Sequence, residues 1–358
     1  SGDFRSHSVA CFIEPLFTHH DRTRFEVFCY SCYAVEDDVT QRLKSHADHW
    51  RSLMGLSDEA AAQLIRADGI DILVDLAGHT AENRLLVFAR KPAPVQVTWL
   101  GYLNTTGLST MDYRLSDSYA SPPGIMDTYH TEELVRLPNS QWCYQPPHTC
   151  PEVGDLPALE SGGLTFASFH NIAKISLPVL RLWAEVLAAV PGSRLILAGG
   201  GLEQKQKMET WSAHFAQRGI DVGRLEFLGV QPFGRYLALH QRVDVNLDAF
   251  PYPGGTTTCH SLWMGVPVIT LAGQTVISRS GVSLLSTVGL PDFIAHSPEE
   301  YVGIAVKLAA NIGQLRALRA GLRERVASSP LCDAAAFARD VEAAYRTMWR
   351  SWCVRQGR

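Results

Sequence analysis

Two alternating patterns of apolar and polar positions run through the 358 residues. Short runs rich in Val, Ile, Leu and Phe recur at 25–33, 70–76, 95–102, 111–115 and 134–137, and again at 164–169, 194–198, 225–228, 243–247 and 267–271. Runs of that length, apolar on both faces, predict buried parallel strands. Between them, apolar residues fall at helical spacing over 57–67, 83–90, 176–190, 203–218, 233–241 and 256–264. From 298 to about 353 the chain reads as helices rich in Ala, Arg, Leu and Glu. Strands alternating with helices predict an α/β protein with parallel sheets.

The alternation breaks once, over 145–163, where Pro and Gly are dense and no period is sustained. That is a linker composition. It divides the chain into an N-terminal domain at 1–150, a linker at 151–163 and a C-terminal domain at 164–358. Open α/β sheets take ligands beyond the carboxyl ends of their strands, so an interdomain cleft lined by the post-strand loops is the expected site.

Among those loops the strongest signal is Leu247-Asp-Ala-Phe-Pro-Tyr-Pro-Gly-Gly-Thr-Thr-Thr-Cys-His260. Two glycines, Gly254 and Gly255, let backbone approach a ligand. Thr256, Thr257 and Thr258 then open a helix whose free N–H groups and dipole suit an anion. The competing structural reading is a simple helix cap. Lys174 follows the strand 164–169 in Phe166-Ala-Ser-Phe-His-Asn-Ile-Ala-Lys174, within reach of a diphosphate as a point charge. In the first half, His79 ends the strand-loop Asp75-Leu-Ala-Gly-His79-Thr80, and His7 stands at a helix start in Asp3-Phe-Arg-Ser-His7-Ser8. Trp99-Leu-Gly101-Tyr-Leu-Asn104-Thr105-Thr106-Gly107 is a further glycine loop with amide and hydroxyl groups suited to a sugar.

Composition trims the alternatives. A net charge of -4, without long runs of like charge, gives nucleic acid or a membrane surface no electrostatic support. No Asp-x-Asp clamp occurs, no Gly-x-Gly-x-x-Gly follows the first strand, and no Gly-x-x-x-x-Gly-Lys-Ser/Thr loop is present. These absences disfavour a metal-clamped transferase, a dehydrogenase and a P-loop ATPase. Eight cysteines include one lone Cys-x-x-Cys, Cys29 and Cys32, too few for a zinc site. Reduced thiols and a cytoplasmic setting are expected. The opening residues Ser1-Gly2-Asp3-Phe4 read as the middle of a protein.

Four segments carry a resemblance. They are Ile70-Asp-Ile-Leu-Val-Asp-Leu-Ala-Gly-His-Thr80, Arg90-Lys-Pro-Ala-Pro-Val-Gln-Val-Thr-Trp-Leu-Gly-Tyr102, Gly254-Gly-Thr-Thr-Thr258 and Tyr345-Arg-Thr-Met-Trp349. They resemble the protein O-GlcNAc transferase and SPINDLY superfamily, over nearly the whole chain. The resemblance implies a GT-B fold of two Rossmann-like domains, the second holding the donor nucleotide. It implies inverting, metal-independent transfer of a sugar to Ser or Thr hydroxyls of proteins, with no cofactor beyond the donor. Tetratricopeptide repeats normally precede such a region and help choose acceptors.

By motif, Lys174 matches the family's essential lysine and Asn171 an amide beside it. Thr256 and Thr257 match phosphate-binding threonines, and Gln231 joins them at the donor. His260 stands where animal enzymes carry a ribose-holding aspartate. His7 matches a histidine proposed as general base, and Gly101 a glycine beside the donor sugar, with Asn104 and Thr105 next to it. Gly255 replaces a histidine of the animal enzymes, and the 104–107 loop is closer to SPINDLY. The resemblance implies UDP-GlcNAc, the donor for which the superfamily is best characterised, and the SPINDLY-like loops make GDP-fucose the alternative. A sugar-nucleotide epimerase and a non-catalytic nucleotide-sugar binder are the competing classes.

Overall fold

A computed structural model of the chain describes residues 1–357 in two compact units, residues 1–145 together with the stretch from Pro330, and residues 146–329. Each apolar run contains a strand, three to five residues shorter than its run for the first three and within two residues of its run's length for the rest. In the first unit they are β1 (Phe28–Ser31), β2 (His49–Ser52), β3 (Ile72–Asp75), β4 (Val95–Thr98), β5 (Tyr113–Asp117) and β6 (Glu133–Leu137). In the second they are β7 (Thr165–Ser168), β8 (Arg194–Ala198), β9 (Leu225–Leu228), β10 (Val245–Leu247), β11 (Val268–Leu271) and β12 (Ile294–Ala295).

The second unit has one parallel six-stranded sheet, ordered β12-β11-β10-β7-β8-β9. Counted from its own first strand this is 3-2-1-4-5-6, the doubly wound order. The winding reverses between β7 and β10, so the crevice lies beyond Ser168 and Leu247. Those two strands are buried at every position, which is why they read as unbroken apolar runs. Phe166, Leu195, Val245 and Trp183 are fully enclosed, and truncating such an aromatic costs about 3–5 kcal/mol.

The first unit holds two parallel fragments, β1-β2 and β3-β4-β5-β6. The helix Asp58–Ala67 covers both, its Ala61, Ala62 and Ile65 packing in one core with Tyr30 and Leu73. The helix Ala10–His19, β2 and the helix Asp38–Ser45 lie outside the expected elements. Pro15 inside the first, and the polar sequence of the other two, hid their periods.

Two boundary expectations are corrected. The last helix, Ala334–Arg355, belongs to the first unit rather than the second. The Phe337 ring packs tilted against Trp99 with centroids 5.6 Å apart, Glu342 accepts from His20 at 3.0 Å, and Asn139 donates to Asp340 at 2.9 Å. Its apolar stripe matches the face left by β4, β6 and the helix Ala10–His19. The 151–163 stretch is also no free linker, because the second unit grips its backbone. The buried Arg319 donates to the Gly154 carbonyl at 2.8 Å, and Ala158 N–H donates to Asp244 at 3.0 Å. No helix among the described residues is long and apolar enough to cross a membrane. The eight cysteines are free, and burial pushes the Cys29 thiol up to about 12.

Candidate active site

At the winding reversal of the second unit, β10 ends at Leu247 and leads directly into Asp248, which is fully buried. Its Oδ1 accepts the Gly254 N–H at 2.8 Å and faces His170 Nε2 at 2.7 Å, while Oδ2 accepts the Thr270 hydroxyl at 2.8 Å. An ionised carboxylate can only accept, so His170 donates from Nε2 and takes the Ser168 hydroxyl, 2.9 Å away, on Nδ1. One carboxylate thus pins the far end of the loop that leaves β10.

That loop then becomes the helix Thr256–Trp263, without a side-chain cap. The first N–H groups of a helix lack intrahelical partners. Gly255, Thr256 and Thr257 are half-buried, so these donors and the positive end of the dipole face outward. Gly254 is a sterically required glycine, since a Cβ there would stand 2.8 Å from Thr257 Oγ1 and 3.2 Å from His170 Nε2.

Lys174 leaves the end of β7, after a single 3-10 turn capped by Asn171, whose Oδ1 accepts Ala173 N–H at 2.9 Å. Its ammonium donates to the Pro253 carbonyl at 3.1 Å and lies 4.1 Å from the Tyr252 ring centroid. Burial lowers its pKa to about 8, against the opposing pull of Asp248. A cation held below its usual range, beside open helix N–H groups, suits an incoming anion. Lys174, Asn171 and the 254–257 loop are therefore brought together as the sequence suggested.

His260 and Gln231 sit differently. His260 is 6% exposed, 5.5 Å from both the Phe233 and Tyr236 rings, with its Nδ1 3.2 Å from the Tyr236 hydroxyl. Burial drives its pKa down to about 3, so it is a neutral imidazole and no substitute for a carboxylate's charge. Gln231 follows the edge strand β9 and donates to Gly229 O at 3.2 Å.

The first unit repeats the aspartate device. β3 ends on buried Asp75, whose carboxylate accepts Ala77 N–H at 3.0 Å, Gly78 N–H at 2.9 Å and the Thr98 hydroxyl at 2.8 Å. The loop continues to exposed His79, whose Nε2 lies 2.9 Å from the Thr106 carbonyl. A carbonyl only accepts, so Nε2 is the donor in this contact and Nδ1 is the ring nitrogen left facing away from it. Gly101 is required by contact, since any Cβ would collide with the Leu76 carbonyl.

Buried Glu132 ties the next loop. It accepts Thr106 N–H and the Thr105 hydroxyl, each at 2.7 Å, and also the Thr106 hydroxyl. The enclosed Arg114 donates to the Asn104 carbonyl at 2.7 Å. His7 is exposed just before the helix Ala10–His19, its Nδ1 accepting Val9 N–H at 3.2 Å. Burial lowers its pKa, Asp3 opposes that and Arg5 adds to it.

Asp75, Asp248, His170, Glu132 and Arg114 were missed by sequence reasoning. The one legible trace is that Asp75 and Asp248 each close an apolar strand, while Thr98 and Thr270 close or near the end of the next.

Comparison with known proteins places this geometry. The family described as glycosyl transferase family 41 matches residues 1–145 and 155–341. A tomato (Solanum lycopersicum) relative, named probable UDP-N-acetylglucosamine–peptide N-acetylglucosaminyltransferase SPINDLY, is 44% identical over 99% of the chain. The chain spans 38% of that relative's length. A solved lysine-to-methionine mutant of Thermobaculum terrenum O-GlcNAc transferase is 42% identical with a TM-score of 0.94, covering 99% of this chain and 68% of that one. A 12% identical Anabaena protein, solved with UDP and glucose, shares the fold at a TM-score of 0.61, with 97% and 98% covered.

Proposed function

Because the chain belongs to glycosyl transferase family 41 and has the GT-B fold, we propose that it carries the transfer centre of a protein O-glycosyltransferase. The donor is UDP-GlcNAc and the acceptor a Ser or Thr hydroxyl of a protein. The observation that carries this reading is the loop held by Asp248, which opens a helix N-terminus beside Lys174.

The acceptor oxygen bonds to the sugar's anomeric carbon, whose bond to the β-phosphate oxygen breaks with inversion. The departing nucleoside diphosphate gains negative charge on that oxygen. Lys174 and the N–H groups at Thr256 and Thr257 are fixed donors for it, and one such donor is typically worth about 3–4 kcal/mol. The hydroxyl proton goes to a base. His79, with Nδ1 facing away from its carbonyl contact, and His7, with its lowered pKa, are the two side chains suited to it, and a donor phosphate oxygen is the third acceptor. Asn104 and Thr105, held by Glu132, form the polar wall for the sugar.

Tetratricopeptide repeats elsewhere in the full-length protein would select the acceptor. A cytoplasmic setting fits eight free thiols.

The test is Lys174→Met, assayed with UDP-GlcNAc and a Ser-containing peptide. Transfer should vanish while the unfolding transition persists. Retention of more than about a tenth of the rate, one 1.4 kcal/mol step, removes Lys174 from the mechanism. Thermal shift with UDP, GDP, UDP-GlcNAc and GDP-fucose fixes the donor. A ligand at 100 times its Kd adds about 2.7 kcal/mol, and selective stabilisation by the GDP species would replace UDP-GlcNAc with GDP-fucose.

A further inference from the structure

The loop Asn104–Gly107 of the first unit is held by side chains. Four successive N–H groups end on side-chain oxygens, Thr105 on Asn104 Oδ1 at 2.9 Å, Thr106 on Glu132 Oε1 at 2.7 Å, Gly107 on Thr105 Oγ1 at 3.0 Å and Leu108 on Thr106 Oγ1 at 3.3 Å. A loop without a backbone ladder takes its shape from whatever fixes those oxygens. Two buried charges do so. Glu132 accepts both threonine hydroxyls as well as the Thr106 N–H. Arg114, on β5 in register with Thr98 of β4 and Leu134 of β6, donates from Nη1 to the Asn104 carbonyl at 2.7 Å.

Packing alone does not favour an arginine at this position. Arg114 is fully enclosed, and among the described residues its Nε and Nη2 have no partner. Burial lowers its pKa to about 10, opposed first by Glu132 and then by Asp75 and Tyr102. Buried unpaired donors destabilise, and a well-packed apolar side chain serves a strand interior better. What the guanidinium does there is hold the Asn104 carbonyl. The clamp also decides which groups the loop has left to offer. The Thr105 hydroxyl is occupied, donating to Glu132 at 2.7 Å and accepting from the Gly107 and Thr131 N–H groups. Thr106 is buried, and its carbonyl accepts from His79. Asn104 is half-buried, and its Oδ1 accepts a backbone N–H, so its remaining group is the Nδ2 donor, which has no partner among the described residues.

We propose that Arg114 and Glu132 are positioning residues for sugar selection, which fix the loop so that the Asn104 side-chain N–H groups meet a hydrogen-bond acceptor of the transferred sugar, the carbonyl of an acetamido group. Neither Arg114 nor Glu132 touches the sugar, and Asn104 does. A donor already held by its own loop loses little of its bond to ordering, so it separates a sugar that carries the partner from one that lacks it. The selection presupposes the transfer reaction proposed above, whereas the clamp on the loop does not.

Initial rates with UDP-GlcNAc and with UDP-glucose test it on the whole chain. Asn104→Asp keeps an acceptor for the Thr105 N–H and removes the donor. It should lower the kcat/KM ratio of UDP-GlcNAc to UDP-glucose by at least about tenfold and leave the Kd of UDP within about twofold. Arg114→Met should lower the ratio in the same sense, and Arg114→Lys should restore part of it. A variant that merely loses folded protein slows both donors alike and keeps the ratio. An unchanged ratio in Asn104→Asp, or a fall in Tm without a change of ratio in Arg114→Met, would overturn the proposal. Amide hydrogen exchange separates a failed donor reading from a failed clamp. Arg114→Met and Glu132→Ala should each speed exchange at residues 105–108 by at least about tenfold, leaving β7 and β10 unchanged. If that happens in a chain that uses no UDP-sugar, the acetamido contact falls with the donor and the clamp stands. Equal exchange in parent and variants overturns the clamp whatever the donor.

Discussion

Asp75 in the first unit and Asp248 in the second do the same mechanical work with different results. Each lies at the carboxyl end of a buried parallel strand and binds, at 2.8 Å, the hydroxyl of a threonine in register on the next strand, Thr98 or Thr270. Each also holds a glycine N–H of its own loop, Gly78 or Gly254. Beyond the glycine the two loops diverge. After Gly254 the chain goes straight into an eight-residue helix with no side-chain cap, and Lys174 folds over the same loop. After Gly78 it passes through exposed His79 and reaches only a four-residue helix, Leu85–Phe88. The same latch thus leads to an uncapped helix start beside a lysine in one unit and to an exposed histidine in the other. The position of the latch belongs to the fold, and the chemistry belongs to the residues just past it.

The sharpest way to break this comparison is to cut each latch. Asp248→Ala orphans His170, Thr270 and Gly254 N–H inside a closed site. It should cost about 3–5 kcal/mol in denaturant unfolding and abolish UDP binding by calorimetry. Asp75→Ala should cost about 1.5–3 kcal/mol and leave UDP affinity within about twofold. If Asp75→Ala also lost UDP, the division of labour would be wrong.

The glycines sharpen it next. Gly101→Ala forces a methyl into the Leu76 carbonyl and should destabilise the first unit by about 1–3 kcal/mol, with nucleotide binding retained. Gly254→Ala meets Thr257 and His170 and should weaken UDP as well as stability.

Acid gives a smaller, graded effect in the second unit. Burial holds His240 at about 4 and His260 at about 3, both below the free value of 6.5. The unfolded chain binds these protons first, so the stability they contribute is whole above pH 6.5 and drains as pH falls toward 4. Replacing His260 with Phe should flatten that limb of the Tm profile.

Lys174 should give a pH dependence confined to the alkaline side. Its folded pKa of about 8 lies below the unfolded value of roughly 10.4, so the unfolded state holds the extra proton between them. Stability of the ligand-free protein should rise with pH across that window, and Lys174→Met should show no such rise and a slightly higher Tm at pH 7.

The sequence revealed these features unevenly, for identifiable reasons. β8 sits where its apolar run places it because a parallel strand buried at every position after its first leaves no polar interruption, while the half-buried edge strand β9 keeps its run's bounds despite Glu226. The helix start at Thr256 and the place of Lys174 just after β7 were legible because glycine, hydroxyl and lysine signals are local. The latches were not, because Asp248 acquires its meaning from His170, 78 residues away, and Glu132 from Thr106, 26 residues away. The surroundings of His260 were not legible either, since the Phe233 and Tyr236 rings that enclose it lie 27 and 24 residues earlier in the chain. The helix Ala334–Arg355 followed two helices of the second unit without any compositional break, so its allegiance to the first unit could be read only from Phe337 and Glu342.

That allegiance also sets a timetable for the protein's synthesis. The second unit is an insertion whose residues are all translated before the helix that completes the first. At roughly 5–20 residues per second, the second unit alone takes about 9–37 s to translate before the stretch from Pro330 begins to emerge. For that interval the nascent first unit lacks the partner of Trp99 and His20 and shows an uncovered apolar face to the cell. The later-encoded half can thus mature first on the ribosome, and the earlier half is the one that needs a chaperone's protection.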